Sequence, residues 1–232
     1  MTSKRFGGAL VQGFSGALVV LVAALLAGCA GTPDREESFR AETISFDLSE
    51  VGKLPRHFTT ALTGGGGPVS WVVREDAQSP DGKPVLLQES ADDTSYRFPL
   101  CVYDKLVARD VAVEVQFKAL SGKVDQAGGI ILRYSPDNYY IARANALEDN
   151  VILFKTVNGQ RSKIVEIPVK VSGGAWHTLR FAAKGARLRV LFDGKRVIDR
   201  VDNTFGNPGK VGLWTKADSV SAFTGLKIEP AR

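Results

Sequence analysis

The chain has 232 residues, with 30 lysines and arginines against 25 aspartates and glutamates and a net charge of +5. This small surplus does not indicate a nucleic-acid-binding protein, and no nucleic acid partner is expected. Two histidines are too few for a histidine-rich zinc site, so no metal site is predicted, and two cysteines allow at most one disulfide bond. The length suits one sizeable domain, because no Pro- or Ser-rich linker divides it.

The first 29 residues have the layout of an export signal. Two basic residues, Lys4 and Arg5, precede a weakly polar run and an apolar segment that ends in Leu-Ala-Gly-Cys at 26–29. This tetrapeptide resembles the lipobox of bacterial lipoproteins. The resemblance implies that the chain is cut before Cys29 and that Cys29 carries lipid, so the protein would be tethered to a membrane without spanning it. The alternatives are a transmembrane anchor at 7–28 and an ordinary buried cysteine.

The residues after this cysteine set the expected location and the domain limits. Ala30 stands where Asp would signal inner-membrane retention in Gram-negative lipoproteins, so the same resemblance favours the outer membrane, facing the periplasm or the cell surface. We expect a signal peptide at 1–28, a polar flexible tether at 29–42 and a single domain at 43–232. If the first cysteine carries lipid, Cys101 has no disulfide partner and is expected to be a small buried residue.

Almost every segment of the predicted domain has the pattern of a β-strand. Apolar residues alternate with polar ones over 111–118, which is the period of a sheet with one buried face. Asn158-Gly159 and Asp193-Gly194 each separate two apolar runs and predict tight β-hairpins. No stretch of ten or more residues in the domain has the 3.6-residue apolar stripe of a helix. The sequence therefore predicts an all-β fold, an antiparallel β-sandwich of two sheets packed face to face.

Two blocks of sequence resemble a known superfamily. They consist of Gly128–Tyr134 with Asp137–Asn145 and Glu148–Asn150, and of Trp176–Leu179 with Asp193–Lys195 and Gly209–Ser219. Together they resemble the concanavalin A-like lectin/glucanase superfamily, laminin-G-like, and most closely its branch labelled 3-keto-disaccharide hydrolase domain. The resemblance covers about residues 43 to 229. It implies a jelly-roll sandwich whose concave sheet or loop rim often receives glycans.

The catalytic pattern of the glucanases in this superfamily is missing from the chain. Those enzymes carry Glu-x-Asp-x-Glu on one strand, whereas the candidate strand here has Glu114 between two valines and Gln116 in the position of a second acid. Glycoside cleavage by the usual route needs two carboxyl groups about 5 to 9.5 Å apart. The sequence offers no such pair, which disfavours a glucanase.

The strand around Trp214 is the first candidate for a binding face. Its phase places Trp214 with Lys210 and Lys216, opposite Val211 and Leu213. A sugar stacks its C–H face on an aromatic ring while neighbouring polar groups bind its hydroxyls, and this face offers both. The alternative is a tryptophan that is half-buried under a loop for packing alone.

Polar side chains from other segments are expected to join this face. Alternation places Tyr139 and Arg143 on one side of their strand, and Arg133 is expected to project away from Leu132 and Tyr134. Guanidinium forks and amides bind hydroxyls and carboxylates well. The predicted ligand-binding set is Arg133, Tyr139, Arg143, Asn145, Glu148, Asn150, Trp214 and Lys216. The alternative is an internal network of ion pairs that only satisfies the sheet surface.

Three functions remain open. The leading hypothesis is a membrane-tethered module that binds carbohydrate without catalysis. The resemblance also implies hydrolysis or elimination on 3-keto-glycosides, where the ketone acidifies the adjacent C–H so that one general base with an electrophile suffices. The catalytic candidates are then Glu148 or Asp218, assisted by Arg143 or Lys216. The third function is an envelope scaffold that binds proteins, as laminin-G-like domains often do.

No cofactor is expected, although the sequence leaves calcium open. The possible oxygen ligands near predicted turns are Asp137, Asn138, Asp149, Asn150 and Asp218. There is no Asp-x-Asp-x-Asp-Gly loop, and the ordinary chemistry of turns explains these residues equally well.

Overall fold

The computed structural model describes residues 39–232, and this part of the chain is almost entirely β-structure. Its strands are β1 (Glu42–Ile44), β2 (Phe58–Gly64), β3 (Trp71–Arg74), β4 (Val85–Gln88), β5 (Arg97–Ala108), β6 (Val111–Ser121), β7 (Ala127–Ser135), β8 (Asn138–Asn145), β9 (Asn150–Val157), β10 (Gln160–Pro168), β11 (Trp176–Lys184), β12 (Arg187–Phe192), β13 (Lys195–Val201), β14 (Gly209–Trp214) and β15 (Val220–Pro230). Within residues 39–232 the one helical element is a 3-10 turn at Leu48–Glu50.

Two antiparallel sheets pack face to face, which confirms the predicted all-β sandwich. The eight-stranded sheet has the order β13-β12-β11-β6-β15-β4-β3, and β1 pairs with β15 as well. The seven-stranded sheet has the order β10-β9-β8-β7-β14-β5-β2. Its strands β7 to β10 follow one another along the chain, whereas β14 lies between β7 and β5. The middle of this sheet is therefore assembled from distant parts of the sequence.

Alternate side chains of the strands form the core between the sheets. On β6, Val113, Val115 and Phe117 are buried there, and the neighbouring strand β11 adds Leu179 and Phe181. Burial of each such side chain contributes roughly 1.5 to 3 kcal/mol to folding. Cys101 also lies in this core as a free, fully buried cysteine, as predicted, and burial raises the pKa of its thiol.

Both predicted hairpins are present. The turn between β9 and β10 consists of Asn158 with φ 48° and Gly159 with φ 76°, and the turn between β12 and β13 consists of Asp193 with φ 46° and Gly194 with φ 76°. Two consecutive positive φ angles match the right-handed twist of the flanking strands, and Asn-Gly and Asp-Gly adopt them at little cost.

A second apolar cluster lies on the outer side of the seven-stranded sheet. Its members are Phe98, Leu100, Val102, Ala127, Ile131, Tyr139, Ile141, Ile152, Phe154 and Trp214. Gly129 leaves room for the largest of them, because a Cβ atom at Gly129 would lie only 3.2 Å from Cε3 of Trp214.

The seven-stranded sheet curls around this second cluster. The hydroxyl of Tyr139 on β8 donates to Oγ1 of Thr63 on β2 at 2.9 Å. In a flat sheet the four strand spacings between β8 and β2 would put these backbones roughly 19 Å apart, beyond the reach of the two side chains. The sheet must therefore be strongly curved. We call its outer side the concave face.

The domain begins slightly earlier than the sequence predicted. Strand β1 starts at Glu42, and Phe39 already packs against the core between the sheets. The predicted signal peptide and Cys29 lie outside the described residues. No helix in residues 39–232 is long and apolar enough to cross a membrane.

Candidate functional site

Trp214 lies on the concave face, opposite Val211 and Leu213, as its phase predicted. The ring is nevertheless 0% exposed. It stacks on Phe98 with ring centroids 5.7 Å apart, and Cζ of Arg161 lies 5.8 Å from its centroid. A sugar therefore has no open indole face to stack on here, because side chains of the sheet itself cover the ring. Trp214 instead packs against Phe98 and Arg161.

Arg161 on β10 covers the aromatic cluster. Its Cζ lies 4.4 Å from the ring centroids of both Phe98 and Phe154, at the distance of cation–π contacts. The hydroxyl of Tyr96 fixes this end of β10, because it accepts from the Arg161 backbone N–H at 2.7 Å and donates to the Gly159 carbonyl at 3.0 Å. Burial, and then the nearby charge of Arg143, lowers the pKa of Arg161.

A chain of hydrogen bonds runs beside this aromatic cluster. Arg143 donates through Nη1 to Asn150 Oδ1 at 2.6 Å and through Nη2 to Glu148 Oε2 at 2.5 Å. Asn150 in turn donates to Glu148 at 3.2 Å and to Glu166 Oε1 at 2.7 Å. Lys163 Nζ donates to the other oxygen of Glu166 at 2.6 Å. These five residues, Arg143, Glu148, Asn150, Lys163 and Glu166, form what we call the polar network.

The polar network has a buried base and an accessible rim. The Arg143 residue is only 3% exposed, whereas the side chains of Glu148, Glu166 and Lys163 are 43%, 38% and 54% exposed. Burial alone would raise the pKa of Glu148, but the hydrogen bond and charge of Arg143 outweigh it and hold the pKa below its usual range. The hydrogen bond from Lys163 likewise lowers the pKa of Glu166. At neutral pH the rim therefore presents two carboxylates and one ammonium group.

Asn145 and Lys216 stand beside the polar network and position it. Asn145 Oδ1 accepts the backbone N–H groups of Leu147 and Glu148, which fixes the loop that carries Glu148. Its amide donates to the buried Asp125 at 2.9 Å, and Lys216 Nζ donates to the same carboxylate at 2.6 Å. Burial raises the pKa of Asp125 despite the opposing effect of Lys216. Of the predicted set, Arg143, Asn145, Glu148, Asn150 and Lys216 are thus brought together.

Tyr139 belongs to the same face but not to its accessible surface. The side chain is fully buried beneath the cluster and bonds to Thr63. Burial raises the pKa of its hydroxyl to about 12. The expectation of a direct ligand contact by Tyr139 does not fit this position, because the curl of the sheet closes over the ring.

Arg133 lies apart from the polar network. It has a positive φ of 54° at a bulge of β7, and its guanidinium donates to the backbone carbonyls of Arg109 at 2.9 Å, Gly185 at 2.6 Å and Phe205. Asp110 lies 3.4 Å from its Nη2. These partners are turns at the junctions of other strands, so Arg133 fastens turns together and the predicted convergence with Arg143 is absent.

Asp218 is occupied by the backbone of a neighbouring loop. Its carboxylate accepts N–H groups of Lys123 at 2.6 Å, Val124 at 3.1 Å and Asp125 at 3.0 Å. Burial opposes ionisation, but these three donors prevail and lower the pKa of Asp218. Among residues 39–232, no group of three or more His, Cys, Asp or Glu side chains is arranged to hold a metal ion.

Three buried donors on the concave face lack a protein partner. Arg143 Nε, Arg161 Nη1 and Trp214 Nε1 have no hydrogen-bond partner within the part of the chain that the structure describes. Native proteins pair most buried donors with protein groups or with ordered water, so water is the ordinary partner expected for these three donors.

Sequence reasoning missed Tyr96, Arg161, Lys163 and Glu166. The register of the β9–β10 hairpin was available from its Asn-Gly turn, and it places Arg161 opposite Thr156 and Lys163 opposite Phe154. That register would have placed the side chains of Arg161 and Lys163 on the same face of the sheet as Arg143. The approach of β10 to Tyr96 and Phe98, across the curled sheet, had no local sequence signal.

Comparisons with known proteins agree with this fold. No family model matches the chain. The levanase of Bacillus subtilis (strain 168) is 31% identical over 124 residues, which are 52% of this chain and 18% of the levanase, so the match spans less than a fifth of that protein. The carbohydrate binding module CBM66 from Bacillus subtilis matches with a TM-score of 0.58 and 25% identity over 75% of this chain and 95% of that module.

A protein of unknown function from Shewanella oneidensis MR-1 has the same sandwich. It matches with a TM-score of 0.53 and 10% identity over 82% of this chain and 85% of its own, a likeness of fold alone. The concanavalin A-like fold expected from the sequence is thus supported by solved structures with little sequence in common with this chain.

Proposed function

We propose that this protein is a carbohydrate-binding module whose site is the polar network of the concave face. The observation that carries the proposal is the position of Arg143, Glu148 and Asn150, which form a preorganised set of donors and acceptors beside an aromatic cluster. The likeness to CBM66, a carbohydrate binding module, supports it.

The chemistry of the rim suits a sugar. Glu148 and Glu166 are ionised acceptors for hydroxyl groups, and Lys163 is a donor, so neighbouring hydroxyls of one ring can each find a partner. Arg143 and Asn150 hold these carboxylates in place, which limits the entropy lost on binding. Tyr96 is 41% exposed, so its aromatic ring is available nearby to stack on the apolar face of the sugar.

The site is proposed to bind without catalysis. A general base needs a free lone pair near the substrate, but Asp218 is saturated by three backbone N–H groups. Glu148 has a lowered pKa and its Oε2 atom is shared by Arg143 and Asn150, which suits an acceptor better than a proton-transfer group.

A panel of soluble polysaccharides tests this function, with levan included because of the levanase relative. Titration calorimetry should find at least one glycan that the full chain binds, and Glu148→Gln should weaken that binding by about tenfold or more, since hydrogen bonds to charged groups contribute about 1.5 to 3 kcal/mol. The matched control is Glu75→Gln, the same chemical change at an exposed loop residue that directly follows β3 of the other sheet. Absence of any glycan binding, or equal loss in both variants, would overturn the proposal.

The tether predicted from the sequence completes the proposal. We propose that lipid on Cys29 holds the module at a bacterial membrane, the outer membrane being favoured by Ala30. Labelling of cells with a fatty-acid analogue should mark the wild-type protein and leave Cys29→Ser unmarked. Equal labelling of both proteins would contradict a lipid on Cys29.

A further inference from the structure

The outer side of the eight-stranded sheet carries a groove that the proposed sugar site does not use. The groove has a volume of about 310 Å³ and is lined by Ala182, Lys184, Arg187, Arg189, Ala231 and Arg232. Ala182 and Lys184 alternate along β11 with Phe181 and Ala183, which are buried in the core. The groove therefore faces away from the sandwich, opposite the concave face.

Positive charge dominates this region. Arg187 forms two hydrogen bonds with Asp199, at 2.7 and 2.8 Å, and the same carboxylate is 3.5 Å from Arg189 and 3.8 Å from Arg196. Three guanidinium groups thus share one carboxylate. Lys184 makes no ion pair with any residue in the described range 39–232. We call Lys184, Arg187, Arg189 and Arg196 the basic face, which carries four cations against one anion.

An exposed apolar residue adjoins the basic face. Val201 lies directly opposite Arg187 in the register of β12 and β13, and it is 68% exposed. Apolar side chains among lysines and arginines are typical of surfaces that bind at the boundary between lipid headgroups and acyl chains.

The chain enters the domain next to this groove. Strand β1 runs antiparallel to β15 with Glu42 opposite Ile228, so the residues before Glu42 approach along the end of β15, which continues into Ala231 of the groove. The ten residue-to-residue steps from Cys29 to Phe39 can span at most about 35 Å. A lipid on Cys29 would hold Phe39, at the entry to the domain, within this distance of a bilayer.

We infer that the basic face docks on anionic phospholipid headgroups. The surplus of cations gives charge complementarity, Val201 gives an apolar contact, and the entry of the chain beside the groove gives proximity. A lipid anchor and a basic surface together bind a membrane far more firmly than either alone. With the basic face on the bilayer, the concave face points away from it, towards glycans.

Hydrogen exchange on the full chain tests the docking. The protein is reconstituted with vesicles of phosphatidylcholine, with and without phosphatidylglycerol. Amide exchange in β12 and the edge strand β13 should slow only when phosphatidylglycerol is present, and raising the salt concentration to about 0.5 M should reverse the slowing, because surface charges are then screened. The slowing should disappear in the triple variant Lys184→Gln, Arg187→Gln, Arg189→Gln, because each cation near an anionic bilayer raises the membrane affinity about fivefold.

A matched triple variant controls for charge alone. Lys53→Gln, Lys105→Gln, Lys123→Gln removes three exposed cations outside the basic face and should keep the wild-type slowing. Equal exchange on both kinds of vesicle, or equal effects of the two triple variants, would overturn the inference. So would slowing of β12 and β13 by the acidic polysaccharide polygalacturonate but not by vesicles, which would assign the surface to an anionic glycan.

Discussion

Arg133 and Arg143 have the same exposure, 3%, and opposite surroundings. Arg133 is bound by three backbone carbonyls of separate turns, whereas Arg143 is bound by the side chains of Glu148 and Asn150 and keeps one unpartnered donor. Backbone partners fasten the fold, and side-chain partners at an accessible rim can exchange with a ligand. The partners of a buried arginine therefore distinguish a structural role from a binding role, whereas its burial does not.

The largest expected effect is on stability, at Arg133. Arg133→Met would leave the carbonyls of Arg109, Gly185 and Phe205 without their donor. Each unsatisfied buried acceptor costs about 1 to 3 kcal/mol, so we expect a total loss of about 3 to 5 kcal/mol. Thermal unfolding should then start about 10 °C lower. Below that transition the glycan affinity should equal that of the wild type. A large loss of affinity in the folded variant would contradict a purely structural role for Arg133.

Arg143→Met should have the reverse pattern. Glu148 and Asn150 would lose the donor that orients them, so the dissociation constant for the glycan should rise by about tenfold or more. The loss of stability should be smaller than at Arg133, about 1 to 3 kcal/mol, because the freed carboxylate of Glu148 can turn to water. Calorimetric titration and thermal unfolding of both variants, side by side, decide between the two patterns.

Arg161→Lys sharpens the comparison, because it keeps the charge and removes the planar guanidinium. Lysine cannot lie flat against Phe98 and Phe154 as the guanidinium does. We expect about a fivefold loss of glycan affinity, with the fold retained. Wild-type affinity in Arg161→Lys would show that the planar group above the aromatic cluster does not shape the site.

The smallest effect is a dependence on pH. The pKa of Glu148 and that of Glu166 are lowered in the folded protein, so their ionised forms persist as the pH falls from 7 to 5. Glycan affinity should therefore be constant over that range and decline only below the ordinary glutamate pKa of 4.5. Titrations at each pH should place the midpoint below 4.5, and Glu148→Gln should flatten the curve. A midpoint above 4.5 would contradict the role of Arg143 as their stabilising charge.

The phase of the strands could be predicted from sequence, because side chains two apart emerge on the same side of a sheet. This rule placed Trp214 opposite Leu213 and gave Tyr139, Arg143 and Asn145 a common face. It failed at Arg133, since the bulge in β7 puts Leu132 in the core between the sheets and Tyr134 against the concave cluster, on opposite sides. No turn residue or glycine marks that bulge in the sequence.

Burial on the concave face could not be predicted from phase alone. Trp214 and Tyr139 have the correct side but are covered, because the sheet curls until β8 approaches β2 and β10 approaches the start of β5. That curvature arises from the summed twist of seven strands and from contacts such as Tyr96 with Arg161, which are 65 positions apart in the chain. Local patterns carry no information on such contacts.

The three tryptophans of the chain give the most direct test of the proposed site. Trp71 lies in the core between the sheets, Trp176 contacts Lys118 on the outer side of the eight-stranded sheet, and Trp214 lies on the concave face beneath Arg161. NMR signals of their indole N–H groups, assigned by single Trp→Phe substitutions, should be followed during titration with the bound glycan. The Trp214 signal should shift while the other two stay unchanged, and a shift confined to Trp71 or Trp176 would contradict the proposed site.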